Sequence, residues 1–316
     1  MKIFITRKIP QKAINFLKNK NYEVSIYKKD QPIERKILLK NIKTADGLIS
    51  LLTDKIDKEV IDSMKDCKVI ANFAVGYNNI DVGYAISKAI IVTNTPGVLT
   101  DSTADLTMAL VLSCARRINE GEKFLRAGEY THWKPNLLLG VELKDKIFGI
   151  LGAGRIGSAV ATRAKAFGCK IIYFSRSKNI ELEKHTGAKK VPLNYLLRNS
   201  DFVSVHLPST KKTYHLLDKE KLSLLKGSAI FINTSRGEIV DEKELIKILQ
   251  KKKIHSAGLD VFENELNINP QLLKLKNAVL LPHIGSATNK ARTEMAMLAA
   301  KNIAAVLSGK PPITPV

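Results

Sequence analysis

One short run constrains this chain more than any other. Lys146-Ile147-Phe148-Gly149-Ile150-Leu151 leads directly into Gly152-Ala153-Gly154-Arg155-Ile156-Gly157. The first half is an apolar strand and the second a GxGxxG turn, after which residues 158–167 place Ala159, Val160, Arg163 and Ala164 at helical spacing. A strand, a glycine turn and a helix in this order form a phosphate cradle. Gly152 permits the tight turn, Gly154 lets backbone approach a pyrophosphate, and Gly157 lets helix and strand pack closely. The phosphates would lie over amides at the positive end of the helix, with Ala153, Arg155 and Ile156 lining the turn. A lone GxGxxG arises by chance in many glycine-rich turns; the strand before this one and the next strand, 170–174, give it weight.

The same alternation runs from end to end. Strands are expected at 2–6, 23–26, 47–49, 69–72 and 90–92, then at 146–151, 170–174, 202–205, 229–233, 256–261 and 278–281. Nearly all are continuous apolar runs, as in strands buried on both faces of a parallel sheet, with helical patterns between them. The class is therefore α/β. Two longer helical segments stand apart. Residues 101–118 are capped by Asp101 or Ser102 after the Pro96-Gly97 break, and residues 286–307 end at Gly309 before Pro311 and Pro312. They mark chain crossings between two domains or core helices of one large sheet. Because the fingerprint starts a fresh strand–helix series in mid-chain, crossings are the better reading, and 316 residues suit two cores.

The strand after the fingerprint bears on the cofactor. A site for NAD carries Asp or Glu at its end to bond the ribose 2′-hydroxyl. Here residues 170–174 run into Ser175-Arg176-Ser177-Lys178, with no acid. A carboxylate would repel a 2′-phosphate, whereas Arg176 can make charge-assisted bonds to it and Ser175 and Ser177 can donate hydroxyls. NADPH is thus the preferred cofactor, with NADH as the alternative if Arg176 only stacks on adenine.

Composition removes several function classes. The net charge of +21 raises a nucleic-acid reading, but the lysines are scattered in short runs such as Lys28-Lys29, Lys189-Lys190 and Lys251-Lys252-Lys253. No RNP-like strand, helix-turn-helix signature or zinc-finger spacing accompanies them, so no nucleic-acid partner is expected. Cys67, Cys114 and Cys169 are far apart and odd in number, which argues for reduced thiols and no metal. No apolar run approaches the roughly 20 residues of a membrane span. Met1-Lys2-Ile3-Phe4-Ile5-Thr6 reads as a first strand rather than a signal peptide, and a cytoplasmic location is expected.

Three later segments carry chemistry. Asn233-Thr234-Ser235-Arg236-Gly237, Gly258-Leu259-Asp260-Val261-Phe262-Glu263-Asn264-Glu265 and Leu281-Pro282-His283-Ile284-Gly285-Ser286-Ala287-Thr288 each follow a strand. Ligands of open α/β sheets bind outside the carboxyl ends of strands, so Arg, Glu and His can meet in one crevice. Together with Ala74-Val75-Gly76-Tyr77-Asn78-Asn79-Ile80-Asp81 and Thr93-Asn94-Thr95-Pro96-Gly97-Val98-Leu99-Thr100-Asp101, these segments closely resemble the D-isomer-specific 2-hydroxyacid dehydrogenases. Within that family the match is to the glyoxylate/hydroxypyruvate reductases, and it spans essentially the whole chain.

The resemblance implies a Rossmann dinucleotide-binding domain at 99–286 and a flavodoxin-like, discontinuous substrate domain at 1–98 and 287–316. It implies NADPH-preferring reduction of glyoxylate and hydroxypyruvate, with Arg236, Glu265 and His283 as the catalytic set. Thr103, Thr234, Ser235, Asp260 and Gly285 would join the fingerprint residues around the cofactor. A homodimer is implied too. Trp133 would sit on an arm reaching the partner, or else be an ordinary core or interface residue. Leu266 departs from the proline usual after the glutamate, so a shifted loop is expected there.

The chemistry explains these residue types. As a 2-oxo acid accepts hydride, charge builds on its carbonyl oxygen, and a protonated His283 can donate to it as general acid. Glu265 would stabilise the imidazolium and fix the ring. Arg236 would hold the carboxylate in a planar fork, with Val75 and Gly76 amides for its other oxygen. Leu51, Leu52 and Ala74 would shape the side-chain pocket. Plain rivals stand beside each assignment: His206 reads as structural, Arg236 could be a sheet-edge ion pair, and Glu263 competes with Glu265, which family position favours. Dehydrogenation of another acid (D-lactate-like or 3-phosphoglycerate) and a non-enzymatic dinucleotide-sensing corepressor are the alternative functions.

Overall fold

The apolar runs become strands, and those at the middle of each sheet are fully buried. The computed structural model describes residues 1–265 and 267–316; Leu266 and the loop shift expected there lie outside the described residues. The chain divides into two units, Met1–Leu99 with Ala287–Val316, and Thr100–Ser286.

In the first unit, β1 (Lys2–Ile5), β2 (Glu23–Ile26), β3 (Gly47–Ser50), β4 (Val69–Asn72) and β5 (Ile91–Thr93) form one parallel sheet in the order β2-β1-β3-β4-β5. This is the flavodoxin-like order. Every residue of β3 and β4 is buried. The helix Asn289–Leu307 brings the end of the chain back onto them, burying Ala296, Ala299, Ala300 and Ile303. Its alanines permit close approach, and Ile303 occupies the space left by Gly47, where a Cβ would lie 3.2 Å from its Cδ1. Each large aliphatic side chain buried in such a layer contributes about 1.5–3 kcal/mol.

In the second unit, β6 (Ile147–Leu151), β7 (Lys170–Phe174), β8 (Lys189–Lys190), β9 (Phe202–Val205), β10 (Ile230–Asn233), β11 (Ser256–Leu259) and β12 (Ala278–Leu280) lie in the order β12-β11-β10-β9-β6-β7-β8. All neighbours are parallel. Counted from β6, this is the Rossmann order extended by a seventh strand, and the order reverses between β6 and β9. Phe148 and Phe202 stack across that pair with ring centroids 5.7 Å apart. The helices Thr100–Arg116 and Arg155–Ala166 pack together on one face of the sheet.

Helix ends differ from the sequence reading. The segment expected at 101–118 runs Thr100–Arg116, placing Asp101 and Ser102 inside its first turn. It stops because Arg117 turns left-handed (φ 53°), and a separate helix, Ile118–Arg126, buries no residue. The last helix starts at Asn289, where Thr288 accepts from the Ala291 amide, and not at 286. Lys189 and Lys190 are exposed, and they also pair with Ile172 and Tyr173 as an unanticipated edge strand. Among the described residues no helix is long and apolar enough to cross a membrane.

Candidate active site

Packing requires glycine at two of the three fingerprint positions and leaves the third open. Gly152 has φ +101°, and a Cβ there would lie 2.5 Å from the His206 carbonyl oxygen. A Cβ at Gly157 would lie 1.9 Å from the Gly152 carbonyl oxygen, so strand and helix could not approach as they do. Gly154 meets no protein atom within 4 Å of that position and is exposed at the start of the helix Arg155–Ala166. Protein packing therefore does not demand glycine at 154. The open space over the helix amides suits the pyrophosphate of a dinucleotide, so the residues present fit that group.

Beside this turn, Ser175, Arg176 and Ser177 follow β7, with Arg176 and Ser177 exposed. The Ser175 hydroxyl donates to the Ser177 carbonyl, and the Lys190 ammonium donates to the Arg176 carbonyl at 3.0 Å. Sequence reasoning passed over Asn179. Its amide donates to the Ala153 carbonyl at 2.8 Å and to Ser158 Oγ at 3.1 Å, tying this loop to the glycine turn. Its carboxamide oxygen also caps the helix Ile180–Thr186, a signal readable as Asn before an acidic first turn.

Arg236, Glu265 and His283 stand on the loops after β10, β11 and β12, three adjacent strands. His283 Nδ1 lies 2.8 Å from Glu265 Oε1 and 2.9 Å from Oε2. A carboxylate only accepts, so Nδ1 carries the hydrogen and Nε2 is left for a second partner. Burial pulls the Arg236 pKa below the usual arginine value, while the charges of Glu265 and Glu238 oppose that shift. Its guanidinium remains protonated and donates to the Ser235 carbonyl at 2.6 Å.

Behind His283 the loop is clamped. Asp260, fully buried, accepts from the amides of Ile284 at 2.8 Å and Gly285 at 2.7 Å. Burial raises its pKa and the two amides oppose the rise. Thr103 donates to the Gly285 carbonyl at 3.3 Å, and Thr107 and Thr234 hydroxyls lie 2.9 Å apart. Thr103, Thr234, Asp260 and Gly285 are thus buried with protein partners, whereas Ser235 is half-buried. His206, 2.8 Å from Ser204 Oγ, is pushed by burial down to about 3 and stays neutral at physiological pH, as a structural residue would. The competing Glu263 has its own partner: His215 Nε2 at 2.7 Å.

In the first unit, the segment after β4 turns three successive carbonyls inward. Ala74 accepts from the Thr95 amide at 2.9 Å, Val75 from Asn94 Nδ2 at 2.7 Å, and Gly76 from Asn72 Nδ2 at 2.8 Å. Among the described residues the amides of Val75 and Gly76 meet no acceptor. Two successive amides without protein acceptors are available to donate to an anion. Leu51, Leu52, Val75 and Gly76 are half-buried, but Ala74 is buried. Asn72 and Asn94 escaped the sequence reading because an asparagine at a strand end looks like ordinary loop chemistry.

Comparison with known proteins identifies the family. The model of the D-isomer specific 2-hydroxyacid dehydrogenase NAD binding domain matches residues 108–285. The glyoxylate reductase of Thermococcus litoralis is 50% identical over 315 residues, covering 98% of this chain and 95% of that one. A crystal structure of a Thermus thermophilus protein matches with TM-score 0.94 at 42% identity over 100% of both chains. The NADPH-dependent glyoxylate/hydroxypyruvate reductase of Sinorhizobium meliloti, in complex with NADP and malonate, matches with TM-score 0.88 at 32% identity, covering 100% of this chain and 96% of that one. Fold and site together define an NAD(P)-dependent oxidoreductase built on a Rossmann domain. The chain belongs to the D-isomer-specific 2-hydroxyacid dehydrogenase family.

Proposed function

We propose that this chain is a cytoplasmic reductase that converts glyoxylate and hydroxypyruvate to their 2-hydroxy acids, preferring NADPH to NADH. The observation that carries the reading is the Glu265–His283 pair, 2.8 Å apart, on the edge of the same sheet as the fingerprint turn. When bound, a nicotinamide dinucleotide would supply the hydride. His283 holds a proton on Nε2 and passes it to the carbonyl oxygen as charge develops there. Glu265 accepts from Nδ1, fixes the ring and favours the imidazolium. Arg236 binds the substrate carboxylate, a task that suits its fork better than a lysine. The amides of Val75 and Gly76, with Leu52 on the loop after the neighbouring strand β3, are assigned to a carboxylate anion in the first unit.

Two features support NADPH: the missing acid after β7, and the exposed Arg176 with Ser175 and Ser177. The named activities and cofactor of the relatives in Thermococcus litoralis and Sinorhizobium meliloti agree with the substrate and cofactor classes. Gly152 to Gly157 would hold the pyrophosphate, and Thr103, Thr234, Ser235, Asp260 and Gly285 would frame the nicotinamide side. A homodimer completes the proposal. Ile118, Leu125, Tyr130, Trp133 and Leu139 are all exposed within one stretch of the second unit, Trp133 by 74%, and such an apolar surface suits a second copy of the chain.

The catalytic assignment is tested by steady-state kinetics on His283→Ala and Glu265→Gln. His283→Ala should lower kcat by roughly 10²–10⁴-fold while NADPH affinity holds. Glu265→Gln keeps a hydrogen bond but loses the charge, so its fall should be smaller. Full turnover in His283→Ala would remove the general-acid role.

A further inference from the structure

A second glutamate–histidine pair lies beside the first and takes no part in the proposed chemistry. Glu263 Oε1 and His215 Nε2 are 2.7 Å apart, each side chain 29% exposed. His215 comes from the segment between β9 and the helix Lys219–Leu222, in a left-handed turn (φ 47°) with the Tyr214 ring stacked on its own at 4.1 Å.

His215 touches two loops at once. Its backbone amide donates to the Glu238 carbonyl at 2.8 Å, two residues past Arg236. Its ring donates to the Glu263 carboxylate, two residues before Glu265. The two loops also meet directly: a Cβ at Gly237 would lie 1.9 Å from the Phe262 carbonyl carbon. The Glu263 amide is held in turn by Glu242 Oε2 at 3.0 Å. Leu217, two residues on, continues the seam by donating to the Ile239 carbonyl at 3.0 Å. A charge-assisted bond of this kind is about twice as strong as a neutral one and sets direction as well as distance.

We infer that His215 is a positioning residue, which through Glu263 and the Glu238 carbonyl holds the Arg236 and Glu265 loops in mutual register. The inference rests on the catalytic roles proposed above for Arg236 and Glu265. A side chain that orients Glu265 orients His283 in turn, because the Glu265 carboxylate is the partner of the His283 ring. Loosening the link therefore acts on the proton-donating step more than on the pyrophosphate and adenine end of the cofactor, which the turn after β6 and the loop after β7 would hold. Because His215 and Glu263 act through one bond, removing either side chain removes the same restraint.

The test is a kinetic cycle on the full chain with glyoxylate and NADPH: His215→Ala, Glu263→Ala, the double variant, and His215→Gln. Each alanine variant should lose kcat on the order of tenfold, the scale of a lost charge-assisted hydrogen bond, with a smaller change in KM. The double variant should be no slower than the worse single one. His215→Gln, whose side-chain amide can still donate to Glu263, should recover most of the rate, and NADPH affinity should hold in all four, which also reports folding. Unchanged kcat in the alanine variants, additive losses in the double, or losses matched by NADPH affinity would each overturn the positioning role. A wild-type protein without turnover on any 2-oxo acid would instead remove the functional reading beneath it, and the positioning role with it.

Discussion

His283 carries its ring on a backbone in the left-handed region, φ 54°, a conformation that costs a non-glycine residue on the order of 1–3 kcal/mol unless its surroundings impose it. The imposing group is Asp260, whose two oxygens take the next two amides in the chain. One buried carboxylate thus fixes where the imidazole points. The distinction between Glu263 and Glu265 also belongs to this scale. Both are carboxylates on one loop, so no local property of the sequence separates them; only the fold shows that Glu265 meets His283 and Glu263 meets His215. Arg236 and His283 were legible because their motifs follow strands, whereas His215 was not, since its partner is 48 residues away. In the proposed function, cofactor choice turns on the exposed Arg176. Arg176→Ala should raise the KM for NADPH by at least tenfold, the equivalent of about 1.4 kcal/mol, and leave that for NADH nearly unchanged, as steady-state titration of both cofactors would report. Equal changes for the two would take Arg176 off the 2′-phosphate.

At the scale of elements, strands were easier to read than helix ends. A strand buried on both faces is a largely apolar run, and β4 and β9 begin and end where those runs do; β2, half-exposed, also falls at its expected bounds. Helix ends depend on single backbone angles. Arg117 turns left-handed and splits one apolar pattern into two helices, and nothing in an Arg-Arg pair announces that. The two-residue β8 is exposed and lysine-rich, so it has no apolar signal to find. The segment after β4 gives a test at this scale. Two of its three inward carbonyls depend on donors from Asn72 and Asn94, which sit at the ends of adjacent parallel strands. Asn72→Asp removes the donor to the Gly76 carbonyl and sets an acceptor against it. The KM for glyoxylate should rise by about tenfold, in keeping with one lost buried hydrogen bond, with NADPH affinity unchanged. An unaltered KM would separate this loop from the substrate.

For the whole molecule, two parallel sheets of different strand order explain why one chain holds two sets of candidate site loops. The flavodoxin-like order gathers the ends of β4 and β5, and the Rossmann order gathers the turn after β6 with the loops after β10, β11 and β12. The return of the last helix to the first unit is a consequence of burial: its Ala-rich face covers β3 and β4. Fold class was therefore readable from alternation, apolar runs and one fingerprint. Substrate identity was not, because one methylene in a pocket changes preference by only about 1–3 kcal/mol, less than sequence can resolve. The most direct test is the loss of absorbance at the reduced-nicotinamide band when glyoxylate is added to the wild-type protein with NADPH. The account predicts rapid, glyoxylate-dependent oxidation, faster than with NADH. Tight NADPH binding without oxidation by glyoxylate, hydroxypyruvate or pyruvate would contradict it and favour a dinucleotide sensor on the same fold.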